Sequence, residues 1–141
     1  MTVPERPVVR MVLAKAGLDA HERGIHVLAY GLREAGFEVI YVGLRQSPEA
    51  ITATAIQEDA DIIGLSSLAG GHVGFTRQVL DLLRDVDDPP LVVLGGLIPD
   101  EDRPGLLEAG VHTIVSVESS ISDIADELSA AAQRRREKHH A

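Results

Sequence analysis

The stretch Asp19-Ala20-His21-Glu22-Arg23-Gly24 carries the residue types best suited to hold a metal-centred ligand. A neutral imidazole at His21 can offer one ring nitrogen to a metal. A carboxylate two residues earlier, Asp19, can accept the proton on the other nitrogen and fix the tautomer. Gly24 would let the backbone pass close to something bulky. The same residues admit a plainer reading, in which Asp19 caps the next helix and His21 is solvated. A second group, Ser66-Ser67-Leu68-Ala69-Gly70-Gly71-His72, follows an apolar run and combines hydroxyls, small side chains and a histidine. A third, Leu94-Gly95-Gly96-Leu97-Ile98-Pro99, leaves backbone bare at the end of another apolar run. Each glycine pair alone is compatible with a turn. Taken with the first group, they describe a cavity that suits a large flat ligand with an appended tail better than a phosphate.

The elements that must position these groups alternate between short apolar runs and longer amphipathic stretches, the pattern of βα units. Strands are predicted over Val8–Leu13, Glu38–Tyr41, Ile62–Ser66, Leu91–Leu94 and Thr113–Val117, with helices over about 23–35, 48–58, 73–85, 100–109 and 121–136. Ser47 followed by Pro48 reads as a helix cap and first turn, and Gly36 and Gly110 as C-terminal helix glycines. Right-handed crossovers then predict an α/β, flavodoxin-like (Rossmann-like) doubly wound parallel sheet of five strands in the order 2-1-3-4-5. In that order the crevice lies between strands 1 and 3, so the Asp19–Gly24 loop faces the Ser66–His72 loop. The domain itself is expected over 8–133. Residues 1–7 read as a disordered N-terminus and 134–141 as a frayed basic tail.

Composition narrows the function. With 141 residues there is room for one domain and no separate substrate domain, so a second chain is expected to share any chemistry it joins. Apolar residues make up 45% but aromatics only 3%, which fits a core of Val, Ile, Leu and Ala around a parallel sheet. A net charge of −9 argues against nucleic acid as a partner. The basic run Arg134-Arg135-Arg136 reads as a solvated helix end. The absence of cysteine rules out thiolate metal sites and Cys nucleophiles, and fits a reducing compartment. No apolar stretch approaches a membrane span and the first residues lack a signal-peptide core, so the chain reads as cytoplasmic, with no membrane partner.

Asp19-x-His21-x-x-Gly24, Ser66-x-Leu68 and Gly95-Gly96 together resemble the three-part signature of cobalamin-binding domains that displace the cofactor's own dimethylbenzimidazole base. The context from Lys15 to Gly24 and the run Ser66-Ser67-Leu68-Ala69-Gly70-Gly71-His72 look most like the small subunit or C-terminal domain of methylmalonyl-CoA mutase. The resemblance spans about residues 7–130. It implies His21 as the lower axial cobalt ligand, Asp19 bonded to its distal nitrogen and Lys15 paired with Asp19. It implies Ser66 against the displaced base, with Leu68, Gly95, Gly96 and Gly24 along the tail's slot. Gly70 joins the same cofactor-binding set, and His72 matches a position near the corrin.

The implied function is that of an adenosylcobalamin-binding small subunit of a carbon-skeleton mutase, interconverting methylmalonyl-CoA and succinyl-CoA. It would be inactive without a large subunit that holds the acyl-CoA substrate. One stretch departs from the family. Where a Gly-Pro-Gly-Thr-like turn is usual, this chain reads Ser116-Val117-Glu118-Ser119-Ser120. Ser119 stands in for the threonine, and an inward unpaired Glu118 would weaken binding through its desolvation cost. The small subunit of glutamate mutase, a corrinoid methyl carrier, and a cobalamin sensor or degenerate interaction module are the competing readings. A methyl carrier would add a helical cap before the first strand. A phosphorylation receiver shares the fold, but Leu13-Ala14-Lys15 lacks the acidic pair that holds Mg²⁺.

Overall fold

A computed structural model describes residues 8–16, 23–43, 46–67, 72–115 and 118–140. The chain alternates β1 (Arg10–Lys15), α1 (Arg23–Glu34), β2 (Glu38–Tyr41), α2 (Pro48–Gln57), β3 (Ile62–Ser67), α3 (His72–Leu83) and β4 (Leu91–Gly96). A 3₁₀ turn at Asp100–Asp102 leads into α4 (Arg103–Ala109), followed by β5 (Thr113–Val115) and α5 (Ile121–His140). All pairings are parallel, and the strand order is β2-β1-β3-β4-β5, as expected.

Local chemistry accounts for the helix boundaries. The Ser47 hydroxyl accepts from the Ala50 amide at 3.0 Å, and Pro48, in the first turn, needs no such partner. Gly36 and Gly110 end α1 and α4 with φ of 98° and 124°, a conformation that costs any other residue strain. Strand alternation divides the core in two. Val12, Ala14, Ile63, Leu65, Val92 and Leu94 pack on α2, α3 and α4 through Ile51, Ala55, Val79, Leu83 and Leu106. Met11, Leu13, Ile62 and Val93 face α1 and α5 through Ile25, Ala29, Leu32, Ile124, Ala125 and Leu128.

Three elements differ from the sequence expectation in ways that bear on the site or on the tail. Strand β1 starts two residues later than its apolar run and ends at Lys15, because backbone pairing of Lys15 with Ser66 sets the strand end, whatever the side chain's polarity. Strand β4 extends through both glycines, which pair with Ser66 and Ser67, so they are sheet residues rather than loop residues. The expected frayed tail is instead helix: α5 runs on to His140. Two of its basic residues, Arg135 and Arg136, are anchored rather than solvated, whereas Arg134 and Lys138 are exposed as expected. Arg135 and Arg136 both reach Asp61, at 3.2 Å and 2.6 Å. Arg135 also donates to the carbonyls of Pro89 and Asp88, and Arg136 to that of Val8. Residues 1–7 lie outside the described residues.

Candidate cobalamin site

The site is built by parallel register. Lys15 on β1 pairs with Ser66 on β3, Ser66 pairs with Gly95 on β4, and Gly95 pairs with Val115 on β5. This row forms the C-terminal edge of the sheet, where the crevice of a doubly wound fold opens. The Ala16 amide donates to the Ser66 carbonyl at 2.9 Å, so the first loop leaves the sheet directly beside the third. Lys15 is 1% exposed, buried at the root of that first loop.

Below this row, on the face towards α1 and α5, side chains shrink along the strands. Strand β3 presents Ile62, then Gly64, then Ser66; β4 presents Val93, then Gly95. The missing volume becomes a cavity of ≈ 270 Å³ between the sheet and the two helices. Its walls include Met11, Leu13, Gly64, Ser66, Val93, Gly95 and Gly96 from the sheet, Gly24, Ile25 and Leu28 from α1, and Ile121, Ile124 and Leu128 from α5. Ser119 lines it from the fifth loop. Its surface is largely apolar, with the Ser66 and Ser119 hydroxyls as side-chain polar groups.

The glycines serve distinct ends. A Cβ at Gly95 would meet only Val115, at 3.9 Å, so glycine there leaves open space. At Gly96, with φ +109°, a Cβ would lie 2.0 Å from the Ser67 carbonyl oxygen, so that glycine is required by the backbone. Gly24 has nothing within 4 Å of a built Cβ, consistent with a face left open for a ligand. At Gly31 a Cβ would lie 2.7 Å from Ile121, so glycine lets α5 close on α1 beside the cavity.

Of the residues singled out in the sequence, Gly24, Ser66, Gly95, Gly96 and Ser119 converge on this one cavity, and Lys15 lies in register with Ser66. His72 opens α3. Asp19, His21, Leu68 and Gly70 lie outside the described residues. Glu118 is exposed rather than turned inward. Sequence reading missed Gly64, although a glycine inside an apolar strand signals a void or close approach. It also missed Met11, Ile121, Ile124 and Leu128, which carry no signal beyond being core residues.

An apolar slot lined by the Ser66 hydroxyl, with glycines where a sheet normally projects side chains, suits a bulky and largely apolar group better than a free phosphate. Residues 9–124 match the B12 binding domain, and the chain belongs to that family. Its cofactor is cobalamin. The chain is 38% identical over 90% of its length to the 2-hydroxyisobutanoyl-CoA mutase small subunit of Aquincola tertiaricarbonis, and spans 94% of that protein. It is 35% identical over 93% of its length to the pivalyl-CoA mutase small subunit of Xanthobacter autotrophicus, and spans 88% of that one. Among solved structures, a cobalamin-binding protein of Desulfitobacterium hafniense superposes with a TM-score of 0.74 at 20% identity, over 88% of this chain and 59% of that one. That likeness speaks to the fold.

Proposed function

We propose that this chain is the adenosylcobalamin-carrying small subunit of an acyl-CoA mutase, acting in the cytoplasm with a large subunit that holds the acyl-CoA. The observation that carries the proposal is the slot beneath Ser66, opened by Gly64 and Gly95, in a chain that matches two acyl-CoA mutase small subunits almost end to end. When bound, adenosylcobalamin supplies a carbon radical by homolysis of its cobalt–carbon bond. The residues of this chain bind and orient. His21 would hold the cobalt through one ring nitrogen, Asp19 would accept the proton on the other ring nitrogen, and Lys15 would complete the relay. Ser66 would bond the displaced base, Leu68, Gly24, Gly95, Gly96 and Ser119 would accommodate the tail, Gly70 would belong to the same cofactor-binding set, and His72 would match a position near the corrin. Methylmalonyl-CoA is one member of a substrate class that also holds the branched acyl-CoA esters named by the relatives.

The test is titration with cobalamin, with and without a cognate large subunit, followed by electron paramagnetic resonance of the Co(II) form. A protein-nitrogen splitting is expected, and His21→Ala should abolish it. An unchanged spectrum in that variant would refute the axial role. Isomerisation of a panel of acyl-CoA esters, seen only when both subunits are mixed, identifies the substrate. No cofactor-dependent turnover with any mutase partner would reject the subunit reading.

A further inference from the structure

We infer that Met11 is a specificity-determining residue: folded over Gly64, its thioether forms the floor of the slot and sets how large a base the bound corrinoid can carry. The inference rests on the cobalamin reading above and goes beyond it to the choice among corrinoids. Met11 pairs with Ile62, one alternation below Gly64 on the same sheet face. A Cβ built at Gly64 would lie 2.2 Å from Met11 Cε and 3.1 Å from Leu13 Cδ1, so the methionine's methyl fills the space a side chain at 64 would take. Met11 is 2% exposed and lines the cavity. Ser66, the hydroxyl placed to meet the displaced base, stands one alternation above Gly64, so the methyl group lies beneath the position the base would occupy.

Gly64→Ala presses on the movable end of Met11, so the fold should survive while the methyl is pushed up into the slot. The probes are cobalamin, a corrinoid with a larger base, and cobinamide, which has no base, each titrated into the chain together with its large subunit. Gly64→Ala should weaken cobalamin about tenfold or more and leave cobinamide within about twofold. Met11→Leu, a volume-conserving change that cannot reach over Gly64, should improve the larger-base corrinoid relative to cobalamin. Wild-type-like ratios among the three ligands in either folded variant would overturn the role of Met11 while leaving the cobalamin reading intact. Failure of the wild type to bind any of the three would overturn both.

Discussion

At Gly95 and Gly96, neighbours in one strand, the same residue type answers two different demands. A side chain at 95 would enter open space, whereas one at 96 would strike the Ser67 carbonyl in a backbone already at φ +109°. Gly95→Val is therefore expected to keep the fold and weaken cobalamin binding about tenfold or more, by filling volume the tail needs. Gly96→Ala should cost about 1–3 kcal/mol of stability through backbone strain before any ligand is added. Urea denaturation and cobalamin titration of both variants separate the two. If Gly96→Ala proved as stable as wild type, the assigned constraint would be wrong. Glu118 illustrates the reverse case: a charge the sequence could place inside the site is exposed in the fold.

Helix α5 is the element whose role changes most between sequence and structure. Its first turn is capped by Ser120, whose hydroxyl accepts from the Asp123 amide at 3.1 Å, and Ile121, Ile124 and Leu128 then form one wall of the slot. Its far end is locked to the opposite edge of the sheet. The Asp61 carboxylate there accepts from Arg135, from Arg136 and from the Arg10 amide, and the Asp61 and Arg135 side chains are 6% and 8% exposed. Removing one partner of such a buried cluster strands charge in a low-dielectric setting. Asp61→Ala should lose about 3–5 kcal/mol, measured by urea unfolding. A midpoint unmoved from wild type would show that the cluster is not coupled to folding.

At the scale of the molecule, the fold presents a slot between sheet and helices at one edge and a charged clasp at the other. A ligand that fills the slot joins α1, α5 and the sheet, so cobalamin should stabilise the whole domain rather than a single loop. At a hundredfold excess over Kd the linkage is about 2.7 kcal/mol, which for a domain of this size raises Tm by about 5–10 °C. Differential scanning calorimetry with cobalamin and with cobinamide at the same concentration is the check, and the tail should account for most of the rise. Equal rises with both would mean that the slot contributes little to binding. Among the described residues no helix is long and apolar enough to cross a membrane.

The strand order, the caps at Ser47, Gly36 and Gly110, and the adjacency of the ends of β1 and β3 could be read from the chain, because βα periodicity, capping chemistry and crossover handedness are local or nearly universal rules. The three motifs were legible for the same reason: short patterns of residue type are fixed in one dimension. What the tertiary structure alone decided is which residues complete the slot and which charges are tied down. Met11 meets Gly64 through strand pairing across 53 residues, and Asp61 meets Arg135 across 74. Neither end of such a contact carries a mark of the other. A methionine in an apolar strand looks like core, and arginines near a chain end look solvated, until packing supplies the partner that gives each its role.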